Sequence, residues 1–244
     1  MTTRLFVIAV APGLALALAA YLTDRYDREP IGLLIKVFIL GALSVIPTMF
    51  VERFLLSLNI FSGVLEAAFT AFIVAGFTEE FFKREVVIRT AYYHRAFDEK
   101  LDGIVYAVFS ALGFATIENV SYVVFRFAAN PYVGLYRGIL SVPAHMLFGI
   151  TMGYYLSLSR FAKSEEKRKS FLRKALTVPL TLHGIFDFIL MAQIPLLMVF
   201  FIPFVLYLWV VNLRKLNEYT KESRLIFERG QNEGNDIDPF EPKE

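Results

Sequence analysis

Long apolar runs separated by short charged turns set the first expectation for this chain. Residues 5–22, 31–51, 63–82, 101–127 and about 136–158 are each long and apolar enough for one helix of roughly 20 residues, the length that crosses a bilayer. Residues 175–213 stay apolar for about two crossings, and Gln193-Ile194-Pro195 supplies the turn that divides them. The pattern predicts an all-α, polytopic membrane helix bundle of about seven transmembrane helices. Pro12-Gly13 is expected to kink the first span, and Asn130-Pro131 to end the fourth. Residues 54–61 are too few to cross and are expected at the interface or lying on the protein. Residues 1–213 form the membrane domain, and 214–244 a cytoplasmic polar tail, an amphipathic helix to about Glu228 and disordered beyond.

Composition supports the membrane reading: 56% of residues are hydrophobic, with 25 Phe and 12 Tyr, and a soluble domain would carry more charge and fewer aromatics. Cysteine is absent, which excludes disulfides, thiolate chemistry and Cys-containing zinc sites, so any metal would use His and carboxylates. Nothing points to nucleic acid as a partner. The net charge of +2 says little, because the distribution of basic residues between loops is what orients a membrane protein. Arg25, Arg28, Lys83, Arg84, Arg89, Arg95, Lys100, the seven basic residues from Arg160 to Lys174 and the tail fall on one side of seven spans. Arg4, Arg53, Arg126 and Arg137 fall on the other. The asymmetry predicts a multi-pass cell-membrane protein with its amino terminus outside and its carboxy terminus in the cytoplasm. It sets the 160–174 cluster beside anionic lipid headgroups and the Glu79-Glu80 end of the third helix at the cytoplasmic face.

Ionisable residues inside the spans change the picture from a generic bundle to a candidate enzyme. Glu79 and Glu80 close an apolar run, and Lys83 lies four and three residues on, so one helical face can pair it with either. An ionised carboxylate in hydrocarbon costs about 2.5 to 3.5 kcal/mol on insertion scales, which calls for a compensating reason. The fourth span carries Glu118-Asn119 with Phe114 one turn earlier, and the fifth carries His145 with Gly149 one turn later, where a neighbouring backbone can approach. In the sixth, His183 and Asp187 share a face, and the acid can orient the imidazole. The remaining His, His94, lies in a basic connector and has no role. Single groups of this kind serve as interhelical hydrogen bonds, but titratable groups on four helices exceed what a structural need requires. Two functional classes remain. One is hydrolysis of a peptide bond in the membrane, with a carboxylate as general base and His stabilising the oxyanion. The other is proton-coupled transport through a Glu/His/Asp relay.

The sequence contains no His-Glu-x-x-His, no Gly-x-Gly-Asp and no Gly-x-Ser-x-Gly, the marks of other protease chemistries. What it contains is Glu-Glu-x-x-Lys at Glu79, Glu80 and Lys83, Phe-x-x-x-Glu-Asn at Phe114, Glu118 and Asn119, the span-borne His145, and His-x-x-x-Asp at His183 and Asp187. In this order on successive helices, they resemble the PrsW family of intramembrane proteases, which is related to the CAAX prenyl endopeptidases and grouped with glutamic-type membrane proteases. The resemblance implies that Glu79 is the base on water, Glu80 supports it or shares its proton, and Lys83 holds the pair. His145 and His183 position water or stabilise the oxyanion, and Asp187 orients His183. The prenyl endopeptidases have His where this chain has Glu118, and commonly Asn where it has Asp187, so the extra acids could also serve as metal ligands. The expected chemistry uses no cofactor, with zinc on His145, His183 and carboxylates as the alternative. The family's role implies a single-span membrane protein as substrate, such as an anti-sigma factor cut from outside in regulated intramembrane proteolysis. That role sits awkwardly with glutamates at the cytoplasmic face.

Overall fold

A computed structural model describes residues 2–130 and 132–235. The described residues form helices and connecting turns, with no strand among them. In chain order the helices are α1 (Thr2–Thr23), α2 (Ile31–Leu43), α3 (Val45–Ser57), α4 (Gly63–Phe69) and, after a π-helical stretch (Thr70–Phe77), α5 (Thr78–Thr90). There follow α6 (Lys100–Val120) with a π-helical extension (Ser121–Arg126), α7 (Tyr132–Tyr136), a third π-helical stretch (Arg137–Ser141), α8 (Val142–Arg160), α9 (Glu165–Met191) and α10 (Pro195–Asn235). Six of the resulting rods are long and apolar enough to cross a membrane: Thr3–Thr23, Ile31–Ser57, Lys100–Arg126, Tyr132–Arg160, Glu165–Met191 and Pro195–Asn232. The seventh runs unbroken through α4, its π-helical stretch and α5 and is as long as the others, but carries its charges in the middle.

Helix α6 is the axis of the bundle. Every residue from Leu101 to Thr116 is buried, and α1, α2, α5, α8 and α10 pack around it. Small residues let α8 come closest. A Cβ at Gly153 would collide with the backbone of Gly103 and Ile104, and one at Gly149 would lie 3.0 to 3.2 Å from Ala111, Ala107 and Val108. This contact of backbones brings His145 of α8 within reach of Glu118 of α6. Large apolar side chains such as Ile35, Ile39, Phe50 and Phe54 on α2 and α3, and Val199, Ile202 and Leu206 on α10, point away from the core, as a lipid-facing surface requires.

Several boundaries differ from those the pattern suggested. Residues 54–57 continue α3 instead of lying apart, with a small break at Ser44, whose hydroxyl donates to the Gly41 carbonyl at 2.7 Å. The third span continues through Lys83 to Thr90, so Glu79 lies roughly 16 Å from the end of its helix at about 1.5 Å per residue. Lys83 therefore belongs to the interior of the bundle and not to a loop. The basic cluster after Arg160 winds into the first turns of α9, whose amino terminus is capped by the Ser164 hydroxyl accepting from the Lys167 N–H at 3.3 Å. Helix α10 runs without interruption to Asn235, so the amphipathic part of the tail is the end of the last span and not a separate surface helix. The stretch expected to be disordered beyond Glu228 is instead helical as far as Asn235, and residues 236–244 lie outside the described residues.

Candidate active site

All three π-helical stretches adjoin the polar residues of the spans. One leads into Thr78-Glu79-Glu80, one follows Glu118-Asn119, and one precedes His145. Wider π turns leave backbone carbonyls less tightly paired and appear preferentially at functional sites. Thr78 answers one such carbonyl by donating its hydroxyl to Val74.

The centre of the cluster is Lys83, which is fully buried. Its ammonium donates to Glu79 Oε2 at 3.0 Å, Glu80 Oε1 at 2.8 Å and His145 Nδ1 at 2.9 Å, and lies 4.4 Å from the centroid of the Phe114 ring. An ammonium has no lone pair, so His145 Nδ1 must accept, and its proton sits on Nε2, which donates to Glu118 Oε2 at 3.0 Å. Glu118 also forms an ion pair with Arg137 at 2.9 Å, and Arg137 Nε donates to Asn119 Oδ1 at 3.1 Å. Asn119 in turn donates to the Ala9 carbonyl of α1 at 2.8 Å.

His183 lies between three carboxylates. Nδ1 donates to Glu80 Oε1 at 2.9 Å, while Nε2 is 3.3 Å from Asp187 Oδ2 and 3.9 Å from Glu79 Oε2. Glu79 Oε2 is also 3.9 Å from His145 Nδ1. Phe148 stacks on His183 at 4.9 Å and 17°, which restricts rotation of that ring. Every expected site residue, Glu79, Glu80, Lys83, Glu118, His145, His183 and Asp187, thus joins one network contributed by α5, α6, α8 and α9. His94 stays apart, accepting from the Ala96 N–H at 3.2 Å.

A cavity of about 590 Å³ reaches this network. Glu79, Glu118, His145, His183 and Asp187 line it, whereas Glu80 and Lys83 sit behind Glu79 and do not. The cavity extends toward the end of the bundle that carries Arg53, Arg126 and Arg137. Two of its residues escaped the sequence reading. Arg137 read as a loop charge and is the counterion of Glu118. Glu52 read as a helix end, yet lines the cavity within electrostatic reach of Glu79 and Glu118. Its only sequence signal is position: an acid at the end of a span that leads into the Glu79 helix.

The donor types suit a divalent metal. Glu79, Glu80, His145 and His183 each offer one ligand atom, all within 4.8 Å of one another. Two imidazoles with a carboxylate are a zinc donor set, and each ring nitrogen turned away from Glu79 already carries a carboxylate, as metal-bound His residues commonly do. Glu80 Oε2 is buried without a hydrogen-bond partner among the described residues. Within the ion-paired network itself four acids, Glu79, Glu80, Glu118 and Asp187, face two permanent cations, Lys83 and Arg137. Against this, the lone pair of His145 Nδ1 is engaged by Lys83, so a metal and the ammonium compete for that nitrogen.

Six helices long and apolar enough to cross a membrane, packed with a seventh around a polar, acid-rich chamber, make this an integral-membrane protein with a buried candidate active site. A family model described as PrsW family intramembrane metalloprotease matches residues 29–212. Relatives named Protease PrsW include one from Clostridioides difficile (strain 630), 42% identical over 93% of this chain and 96% of the relative. Another, from Bacillus subtilis (strain 168), is 39% identical over 84% of this chain and 91% of the relative. A third, from Halalkalibacterium halodurans, is 37% identical over 87% and 95%. No solved structure matches the chain. The chain belongs to the PrsW family of intramembrane proteases and is a peptidase.

Proposed function

We propose that the protein is an endopeptidase that cuts a single-span membrane protein, of which an anti-sigma factor is the type, with Glu79 as general base on water. The observation that carries this reading is the division of labour between the paired glutamates: Glu79 faces the cavity, while Glu80 is enclosed behind it with Lys83 and His183. Glu79 removes a proton from water as its oxygen attacks the scissile carbonyl carbon, and the carbonyl electrons move to oxygen. His183, its ring held through Nδ1–H by Glu80, turns Nε2–H from Asp187, 3.3 Å away, to that oxyanion. Collapse of the tetrahedral intermediate breaks the C–N bond, and Glu79 returns the proton to the leaving amine. His145, with its tautomer set by Lys83, orients the wall and links the base to Glu118 and Arg137.

The same reading takes the loop charges to orient the molecule with its amino terminus outside. Lys83 and Arg84 no longer count as loop residues, but the remaining asymmetry still favours that side. The cavity then opens outward, at the end marked by Arg53, Arg126 and Arg137. An outward opening removes the conflict between the glutamates and a substrate cut from outside.

A second reading is favoured by the donor cluster: zinc held by Glu79, His145 and His183, supplying a polarised water and charge for the oxyanion. Metal analysis of the purified protein, paired with cleavage after prolonged chelation, separates the two. The metal-free account expects sub-stoichiometric zinc and turnover within about twofold of the untreated enzyme, whereas a zinc enzyme would lose about 10²-fold or more. Loss that only added zinc restores would establish the second reading.

A further inference from the structure

On the outward reading, the face that positive-inside sorting depletes of basic residues holds only Arg4, Arg53, Arg126 and Arg137. Three of these four line the same cavity, and they come from different elements: Arg53 from α3, Arg126 from the extension of α6 and Arg137 from the stretch before α8. Scattered interfacial cations would not gather this way.

The three are not equivalent. Arg137 is committed to Glu118. Arg53 and Arg126 are exposed and have no ion-pair partner among the described residues, and Arg126 rests on the rings of Tyr122 and Phe127. Tyr122 joins the mouth to the floor: Arg126 lies 5.2 Å and Arg137 4.0 Å from its ring centroid, and from Arg137 the contacts run through Glu118 and His145 to Glu79. A peptide seated on Glu79 and leaving through the mouth runs along a wall that carries both unpaired guanidiniums. Guanidinium prefers planar anions that it can grip with two N–H groups, and in a peptide these are Asp and Glu carboxylates. Lipid phosphate offers similar chemistry, but these arginines face the chamber that holds the glutamates.

We propose that Arg53 and Arg126 select substrates bearing Asp or Glu on the outer side of the scissile bond. The proposal rests on the endopeptidase reading for its meaning, though its test does not. The Glu79→Gln protein is titrated with a fluorescent Glu-rich peptide and its Gln counterpart in phosphatidylcholine nanodiscs, and its bound lipid is analysed in parallel nanodiscs of mixed phosphatidylcholine and phosphatidylglycerol. The Glu-rich peptide should bind about tenfold more tightly at low salt, and the advantage should shrink as ionic strength rises. Arg53→Gln with Arg126→Gln should abolish it, and Arg53→Glu with Arg126→Glu should shift preference to a Lys-rich peptide. Both residues are exposed, so the variants should keep the parent's melting temperature. Equal binding of the two peptides, or a preference that survives the double Gln variant, overturns the proposal. So does an arginine-dependent enrichment of phosphatidylglycerol around the protein with no peptide preference. If the preference holds while the wild-type enzyme cuts neither an acidic nor a neutral single-span substrate, acid selection stands and the endopeptidase reading fails.

Discussion

Glu79→Gln should reduce peptide cleavage by about 10³-fold or more while leaving the fold intact. Glutamine has the volume of glutamate and keeps an oxygen to accept from Lys83, so the network around the ammonium survives. What disappears is the only member of the pair that both reaches the cavity and can take a proton from water. Glu80→Gln is the contrast. Glu80 accepts from Lys83 and His183 without lining the cavity, and its replacement should leave measurable turnover, about 10- to 100-fold down, by loosening His183. Initial rates for the two variants, with melting temperatures to verify folding, decide between them. The reverse ranking would exchange the roles of the glutamates.

Lys83→Met should be among the most destabilising single changes in the chain. Methionine fills much of the same volume but leaves Glu79 and Glu80 without the cation that touches both, in a site almost wholly closed to solvent. Removing one partner of a buried ion pair costs about 3 to 5 kcal/mol, chiefly because the other charge is left uncompensated. The physical cause gives a distinctive rescue: Glu79→Gln and Glu80→Gln combined with Lys83→Met should recover most of the loss, since no orphaned charge remains. Denaturant unfolding in detergent micelles measures both steps. A Lys83→Met protein as stable as the parent would mean that another cation, a bound metal among them, neutralises the pair.

Much of the site was legible because its chemistry and its helical phase coincide. Glu79, Glu80 and Lys83 share one face by spacing alone, as do His183 and Asp187, and both sets meet as that spacing implies. Depth was not legible. A charged run at the end of an apolar stretch reads as a helix leaving the bilayer, and only the burial of Lys83 beneath Phe114, with Ser110 donating to its carbonyl at 2.9 Å, makes Lys83 an interior residue. Arg137 and Glu52 were missed for the same reason: each stands where a loop charge is ordinary, and the acids they face, Glu118 for Arg137 and Glu79 and Glu118 for Glu52, are distant in sequence. Helix α10 extends past the apolar run because its polar residues keep good helix propensity after the lipid-facing pattern ends, so hydropathy marks the span and not the helix.

Cleavage-site mapping in proteoliposomes tests the central claim most directly. A single-span substrate of known orientation is co-reconstituted with the enzyme, its fragments are weighed by mass spectrometry, and lumenal pH is followed in the same vesicles. The account predicts one principal cut, in the outer half of the span or just beyond it on the side of Arg53 and Arg126, present with wild type, lost with Glu79→Gln, and without a pH change. An intact substrate accompanied by a Glu79-dependent change in lumenal pH would contradict it and make the buried acids and imidazoles a proton path.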